Sequence, residues 1–154
     1  MADLVLLPPA PLHVVRGEWG GESAQDVTIP ATRMRAAESA GGAALWLGPD
    51  EWLLIGVAPP DPARAVDVSG RDLWFELSGA DACLLLAAGV PLDLHPEAFP
   101  PGMCTRTVCE RVSITLWRRA PHEWRIGLAR SFAPYFRDLL AAIATANGIV
   151  LSAR

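Results

Sequence analysis

The sequence predicts an α+β fold in which helices pack on one face of an antiparallel sheet. Three segments between residues 73 and 128 alternate apolar and polar side chains, the pattern of strands with one buried face. Between residues 132 and 143, apolar side chains instead recur every three or four positions, as along an amphipathic helix. The resulting order from residue 73, strand, helix, strands, helix and strand, is close to a ferredoxin-like split βαβ arrangement.

The N-terminal segment has the least regular pattern. Short strands are predicted for VVRGEW (14–19) and DVTIP (26–30). ATRMRAAESAGG (31–42) is predicted to form either one helical turn or a loop that ends at the glycine pair. We therefore expect residues 1–43 to be poorly defined and residues 44–154 to form the core.

Two β-hairpins are predicted in the core. The apolar runs ALWL (44–47) and WLLIGV (52–57) are separated by four residues whose proline and aspartate suit a tight turn. VSITL (112–116) and WRIGL (124–128) alternate strictly and are predicted to be antiparallel strands joined near Pro121. Both hairpins place aliphatic and aromatic side chains at buried positions.

A strand followed by a short helix is predicted between the two hairpins. APPDPARA (58–65) is a connector, and LWFEL (73–77) alternates as a strand. Ser78 and Asp81 are spaced as a capping box, which predicts a helix through the following leucines. Gly89 is predicted to end that helix in a left-handed conformation.

The longest helix is predicted near the C-terminus. Ser131 is expected to cap it, and Pro134 is tolerated because it falls in the first turn. Its apolar face comprises Phe132, Phe136, Leu139, Leu140 and Ile143. Asn147-Gly148 ends the helix, and IVL (149–151) is predicted to be the last strand.

Composition limits the class of protein. We expect a single domain (1–154), and with 51% apolar and 19% charged residues it has little polar surface, which favours contact with a partner. All 13 basic residues are arginine, so chemistry on a lysine is excluded, and a net charge of −4 argues against nucleic-acid binding. No apolar run reaches the roughly 18 residues of a membrane helix. The N-terminus does not resemble a signal peptide, so a cytoplasmic location without membrane association is expected.

The three cysteines are predicted to be free thiols. Cys83, Cys104 and Cys109 cannot all pair within one chain. The C-x4-C spacing of the last two does not match a zinc knuckle, and no second pair of ligands follows. We therefore expect buried, unreactive thiols and no bound metal.

Residues 91–104, PLDLHPEAFPPGMC, form a segment that we call the proline-rich loop. Its prolines fix φ and remove N–H donors, so neither a helix nor a central strand is expected. In one interpretation it is a site, in which His95 is a general base oriented by Asp93 with Glu97 nearby. In the other it is structural: Asp93 and His95 hydrogen-bond the backbone of their own loop.

The structural or interface interpretation is favoured because the loop contains no partner base for His95. Three of its apolar side chains are expected to cover apolar surface: Leu92, Leu94 and Phe99. The residues assigned to this structural or interface loop are Pro91, Asp93, His95, Pro96, Phe99, Pro100, Pro101 and Gly102.

Four segments follow one another over about two thirds of the chain: ALWLGPDEWLL (44–54), DVS (67–69), PLDLHPEAFPPGMCTRT (91–107) and RSFAPYFRDLL (130–140). In sequence and in order they resemble the gamma subunits of heterotetrameric sarcosine oxidases. LGPDEWL combined with PLDLHP-x-x-FPPG is far more specific than any single short motif.

This resemblance implies a fold related to the folate-binding domain of glycine-cleavage aminomethyltransferases. It also implies a complex that oxidises the methyl group of sarcosine, giving glycine and hydrogen peroxide, and passes the one-carbon unit to tetrahydrofolate or releases formaldehyde. In such complexes FAD, FMN, NAD and tetrahydrofolate belong to the larger alpha and beta subunits, and zinc belongs to the delta subunit. The gamma chain is not associated with a catalytic residue.

The sequence agrees that this chain lacks a catalytic site of its own. It contains no G-x-G-x-x-G, and its strand-to-helix turn is Ser78-Gly79-Ala80-Asp81. It also contains no G-x-S-x-G. We therefore expect no catalytic residue and no cofactor in this chain, which we interpret as a structural subunit. The alternative function is a stand-alone folate-binding or one-carbon-transfer protein.

The tip of the first hairpin is the candidate for a vestigial folate pocket. Asp50 or Glu51, beside Trp52, offers a carboxylate that can accept the paired N–H donors of a pterin. A turn aspartate that bonds its own backbone needs no ligand, and this interpretation is favoured. Of the six tryptophans, those predicted to be core are Trp46, Trp52 and Trp74. At least one of the remaining three is expected at an interface: Trp19, Trp117 and Trp124.

Overall fold

A computed structural model describes the whole chain and confirms the α+β class. The strands are β1 (Ala2–Leu6), β2 (Leu12–Arg16), β3 (Ser23–Ala24), β4 (Val27–Thr28), β5 (Ala36–Glu38), β6 (Ala43–Gly48), β7 (Glu51–Ile55), β8 (Ala65–Asp67), β9 (Asp72–Ser78), β10 (Cys104–Cys109), β11 (Val112–Ala120), β12 (Glu123–Ala129) and β13 (Leu151–Ala153). The helices are α1 (Ala82–Ala87) and α2 (Ala133–Ala146), with 3₁₀ turns at Pro62–Arg64 and Arg130–Phe132. No helix is long and apolar enough to span a membrane.

The residues divide into two compact units. The first comprises residues 1–8, 71–101 and 106–154, and the second comprises residues 9–70 and 102–105. Neither unit is one continuous segment of chain.

The first unit contains both helices and most of a six-stranded sheet with the order β10-β11-β12-β9-β1-β13. The pairs β11–β12, β12–β9 and β9–β1 are antiparallel, whereas β1 and β13 are parallel. Phe75 on β9 lies opposite Ile126 on β12, and its ring centroid is 5.9 Å from that of Phe136 on α2. The predicted alternation in β9, β11 and β12 therefore produces an apolar face against which α2 packs.

Helix α2 confirms the predicted helical segment but not its cap. Ser131 lies inside the 3₁₀ turn that leads into the helix, so it cannot cap the helix, and the N-cap residue Phe132 makes no side-chain hydrogen bond. Phe132 is also half-exposed, because it precedes the regular turns whose inner face buries Phe136 and Leu140. Gly148, with φ of 66°, ends the helix as predicted.

Helix α1 confirms the predicted helix through the leucines, but neither predicted cap is formed. Ser78 is the last residue of β9 and pairs in the sheet, and the carboxylate of Asp81 pairs with the N-terminal ammonium instead of the helix backbone. Gly89 does not have a positive φ. A Cβ at Gly89 would lie 2.9 Å from Cys109 Sγ, so glycine is needed there for close packing.

The second unit contains a five-stranded antiparallel sheet, ordered β5-β6-β7-β2-β8, and the small β3–β4 hairpin. The predicted hairpin after Ala44 is confirmed as β6–β7. Residues 1–43, expected to be poorly defined, contain five strands. The segment expected to be a helical turn or a loop contains β5, since pairing with β6 provides hydrogen bonds that local propensity does not reveal.

Candidate functional site

The proline-rich loop contains no helix, and the only strand residue in it is Cys104, at the start of β10. The two hydrogen bonds predicted within it are present. The His95 N–H donates to Asp93 Oδ1 at 2.9 Å, and the Glu97 N–H donates to His95 Nδ1 at 3.3 Å. The His95 carbonyl accepts from the N–H groups of Ala98 and Phe99 at 2.9 and 2.8 Å, which closes a tight turn.

The loop has an inner and an outer face. Leu94 and Phe99 are 3% and 2% exposed, so they cover apolar surface as predicted. Leu92 is 38% exposed and does not. The remaining exposed side chains of the outer face are Pro91, Asp93, His95, Pro96, Glu97, Ala98 and Pro101.

His95 is neither buried nor oriented by a carboxylate. Its side chain is exposed, and Asp93 accepts from the His95 backbone N–H and makes no hydrogen bond to the imidazole. The aspartate–histidine pair of the catalytic interpretation is therefore not formed. The role of the loop as a structural element or an interface stays a prediction.

Arg118 on β11 is the residue of this region that the sequence analysis missed. It is 3% exposed, and its guanidinium donates to the carbonyls of Leu94 and Phe99 in the loop and of Pro121 in the β11–β12 turn. Its position continues the alternation of buried residues along β11 that starts at Val112. An arginine at an inward position of an otherwise apolar strand face was the signal that could have identified it.

The hairpin tip is organised by backbone contacts. Asp50 is exposed, its side chain makes no hydrogen bond, and its carbonyl accepts from Gly17 N at 2.9 Å, so the predicted side-chain turn is wrong. Glu51 is 8% exposed and lies 3.5 Å from Arg16 Nη2. Trp52 is buried and donates from Nε1 to the carbonyl of Pro30 at 2.8 Å. The folate-pocket interpretation of these residues stays a prediction.

The tryptophans expected at an interface are buried within this chain. Trp19, Trp117 and Trp124 are 4%, 5% and 0% exposed, so that expectation is wrong. Trp46, predicted to be core, is half-buried. Arginines stack on Trp19 and Trp124, with guanidinium carbons 4.4 and 4.8 Å from the ring centroids.

The cysteines are free thiols and do not converge. Cys104 and Cys109 lie at opposite ends of β10 and are buried, while Cys83 is half-buried. Burial raises the pKa of Cys104 to about 12 and that of Cys109 to about 11. No three His, Cys, Asp or Glu side chains are grouped so that they could hold a metal ion.

The turn from β9 to α1 does not fit a dinucleotide. Gly79 has φ of 110°, and a Cβ added there would lie 2.5 Å from the Met1 carbonyl oxygen. The space that a phosphate needs at such a turn is therefore occupied by the backbone of the N-terminal segment. Helix α1, with 6 residues, is also too short to supply an N-terminal anion site.

A shallow surface cleft of about 540 Å³ lies on the six-stranded sheet. Arg71 and Asp72 line it and pair with each other through two hydrogen bonds of 3.1 and 2.9 Å. Three hydroxyl side chains also line the cleft: Thr107, Ser113 and Thr115. None of the residues predicted from the sequence as site residues lies in it.

Comparison with known proteins places the chain in a family. The family described as "Sarcosine oxidase, gamma subunit family" matches residues 61–146. This chain belongs to that family. The subunit gamma of sarcosine oxidase from Corynebacterium sp. (strain U-96) is 32% identical over 140 residues, which cover 80% of this chain and 68% of that protein.

Two other relatives match over less of their length. The subunit gamma proteins of Corynebacterium sp. (strain P-1) and of Arthrobacter sp. are 34% and 33% identical over 107 and 103 residues. These matches cover 62% and 59% of this chain but only 53% and 51% of the relatives. The chain therefore matches about half the length of these two proteins.

Two solved structures share the fold. One chain of the heterotetrameric sarcosine oxidase from Corynebacterium sp. U-96, in complex with pyrrole 2-carboxylate, has a TM-score of 0.82 and 27% identity, covering 94% of this chain and 84% of that one. The glycine cleavage system aminomethyltransferase T from Bartonella henselae has a TM-score of 0.64 and 15% identity, covering 98% of this chain and 47% of that one. The second likeness shows the fold alone and confirms the expected similarity of this fold to that of an aminomethyltransferase.

Proposed function

We propose that this gamma-family chain is a structural subunit of a heterotetrameric sarcosine oxidase and has no catalytic residue of its own. One observation carries the proposal: the chain superposes over 94% of its length on a chain of such a complex, with a TM-score of 0.82. The partners would be the alpha, beta and delta subunits, and the location would be the cytoplasm. In the complex, sarcosine would be converted to glycine and hydrogen peroxide, with the one-carbon unit passed to tetrahydrofolate or released as formaldehyde.

The larger subunits would hold FAD, FMN, NAD and tetrahydrofolate. Two properties of this chain support the assignment of these cofactors to the other subunits. The β9–α1 turn is closed by the Met1 carbonyl, and the side chain of His95 is not held by a carboxylate. A subunit of this kind contributes surface and stability to the assembly, and the flavins of its partners supply the redox chemistry.

Co-expression of this chain, carrying an affinity tag, with the alpha, beta and delta subunits tests the proposal. We expect all four chains to co-purify and to elute together by size-exclusion chromatography. Peroxide production from sarcosine should follow the complex, whereas the chain purified alone should be colourless and inactive. Failure of the four chains to associate, or peroxide production that follows the isolated chain, would contradict the proposal.

The alternative of a stand-alone folate-binding protein rests only on the shared fold, which at 15% identity says nothing about ligands. Titration of the isolated chain with tetrahydrofolate, followed by calorimetry, distinguishes the two. We expect no saturable binding. Binding that is lost in a Glu51→Gln variant would instead assign the hairpin tip to a folate pocket.

A further inference from the structure

Arg118 connects the proline-rich loop to the sheet behind it. Its Nη1 donates to the carbonyls of Phe99 and Leu94 at 2.8 and 3.3 Å, and its Nη2 donates to the carbonyl of Pro121 at 2.8 Å. The guanidinium carbon lies 4.8 Å from the ring centroid of Trp124, which is 5.6 Å from the ring centroid of Phe99. One side chain thus holds two carbonyls of the loop and one of the neighbouring turn.

This arginine has no carboxylate partner. Its Nε is buried without a hydrogen-bond partner, and its only acceptors are the three carbonyls. A buried charge is costly unless it is compensated, and here the compensation comes from backbone dipoles and an aromatic face. The planar fork of arginine reaches several carbonyls at fixed angles, which a lysine ammonium does not. The buried guanidinium is therefore compensated only when the loop adopts the conformation that brings these carbonyls to it.

The backbone of the loop is conformationally restricted within this chain. Four prolines, Pro91, Pro96, Pro100 and Pro101, restrict the backbone, and the turn closed by the His95 carbonyl restricts the rest. A surface that is already ordered loses little conformational entropy when it binds.

The outer face also carries charge of one sign. Asp93 and Glu97 are exposed, and residues 91–104 contain no arginine or lysine. A complementary partner surface would therefore present arginine or lysine side chains.

We infer that Arg118 is the positioning residue that presents the outer face of the proline-rich loop to a basic surface of a partner subunit. This inference rests on the proposed function as a subunit. Arg118 is 3% exposed, so it acts through the backbone that it holds and not by direct contact with the partner. Its removal releases residues 94–99 of the loop and the Pro121 carbonyl of the neighbouring turn.

Hydrogen exchange on the isolated chain tests the positioning role without any partner. In an Arg118→Met variant, we expect the amides of Ala98 and Phe99 to exchange at least about tenfold faster, because the turn they close is no longer held. Arg118→Lys should restore part of the protection. Phe136→Leu is the control, since it weakens the ring pair with Phe75 and should leave the loop protected. Unchanged loop exchange in Arg118→Met would overturn the inference.

Binding to the partner subunits tests the docking role. We expect Arg118→Met to weaken assembly at least about tenfold relative to Phe136→Leu at a temperature where both are folded. The double variant Asp93→Asn/Glu97→Gln should also weaken it and reduce its dependence on salt. The asparagine keeps the acceptor for the His95 N–H, so the loop shape is retained while the charge is removed.

The outcomes separate this inference from the proposed function. If the wild-type chain fails to assemble, the proposed function and the docking role both fall, while hydrogen exchange still decides the positioning role. If the wild-type chain assembles and either the released loop or the uncharged loop binds equally well, the docking role alone is wrong. If Arg118→Met does not fold, Arg118→Lys replaces it in the hydrogen-exchange and binding comparisons with a smaller expected effect, and unchanged loop exchange in Arg118→Lys then overturns the positioning role. The uncharged double variant still tests the docking role.

Discussion

At the scale of single residues, the proline-rich loop shows how solvent exposure determines the contribution of a hydrogen bond to stability. Arg118 and His95 each contact the loop backbone, but only Arg118 is buried. A group removed from water leaves its partners unsatisfied when it is deleted, whereas water replaces an exposed group. The motif residue His95 is therefore less important for stability than the arginine that lies outside the motif.

His95→Ala should lower the free energy of unfolding by less than about 1 kcal/mol, because one exposed neutral hydrogen bond is lost to water. A larger effect, of about 1–3 kcal/mol, would be expected of a buried group. Chemical denaturation of the isolated chain measures the difference. If the variant assembles and folds normally but the complex loses turnover, the catalytic interpretation of His95 would be restored.

The three thiols should react at different rates. Cys83 is half-buried, whereas burial keeps Cys104 and Cys109 protonated, with pKa values of about 12 and 11. Under native conditions at pH 8, we expect iodoacetamide to modify Cys83 first, with all three modified only after denaturation. Peptide mass spectrometry identifies the sites, and Cys83→Ser provides the control. Equal native rates at Cys104 and Cys83 would contradict the structure.

The same burial has a consequence at alkaline pH. Since both folded pKa values lie above the usual value of 9.0, the unfolded chain loses these protons first. The contribution of the two protonated, buried thiols to the free energy of unfolding is therefore complete below pH 9. It is lost as the pH rises through about 11 to 12.

The sequence predicted the hydrogen bonds within the loop because Asp and His bond to neighbouring backbone in short proline-bounded turns. It did not identify the residue that holds the loop. Arg118 is 19 positions away from Phe99, so its role depends on how the hairpin packs behind the loop. The burial of Trp19, Trp117 and Trp124 was missed for the same reason, because polar neighbours in the sequence do not reveal what covers a ring.

At the scale of elements, strands marked by strict alternation or by two apolar runs on either side of a turn were predictable, and strands without such a pattern were not. β9, β11 and β12 bury most of the apolar side chains of their alternating pattern, so the pattern is visible locally. β1 and β5 are short. β1 depends on hydrogen bonds to β9 and β13, which are distant in sequence, and β5 pairs with the adjacent strand β6. The predicted N-terminal caps failed because Ser78 belongs to the strand before α1 and Ser131 to the 3₁₀ turn before α2.

Gly127 on β12 provides a test of strand packing. It lies opposite Trp74, and an added Cβ would be 2.5 Å from Trp74 Cζ2. Gly127→Ala should therefore cost about 1–3 kcal/mol of stability, since a buried indole must move. Gly70→Ala, where no atom lies within 4 Å, is the matched control and should change stability by less than about 0.5 kcal/mol.

Thermal and chemical denaturation of both glycine variants measures the effect. Combining Gly127→Ala with Trp74→Ala should be less destabilising than the sum of the single changes, because the clash is absent in the double variant. Strict additivity, or equal stability of the Gly127 and Gly70 variants, would show that the indole does not occupy the space above Gly127.

At the scale of the whole molecule, family and fold carry different amounts of functional information. The fold extends to an aminomethyltransferase at 15% identity, which is a different kind of protein. The family is narrower. Membership in it was predictable because LGPDEWL, in the second unit, precedes PLDLHP-x-x-FPPG, which lies in the first unit except for its last residue. The functional proposal therefore rests on the family and on the superposition with a chain of the heterotetrameric complex, whereas the likeness to the aminomethyltransferase explains only the scaffold.

We expect the chain to unfold as one domain. The backbone passes between the two units after residues 8, 70, 101 and 105, so unfolding of either unit leaves the segments of the other joined through at least one long unfolded loop. The six tryptophans provide a probe of each unit: Trp19, Trp46 and Trp52 lie in the second, and Trp74, Trp117 and Trp124 lie in the first. A two-state transition requires that both sets report the same midpoint.

Two variants make this measurement, each with the three tryptophans of one unit replaced by phenylalanine. Within each variant, the urea midpoint from tryptophan fluorescence, which reports one unit, should match the midpoint from circular dichroism, which reports the whole chain. The variants differ in stability, so the comparison is made inside each protein and not between them. A fluorescence midpoint clearly separated from the circular-dichroism midpoint in either variant would mean that the units unfold independently, and the single domain of residues 1–154 would then be two.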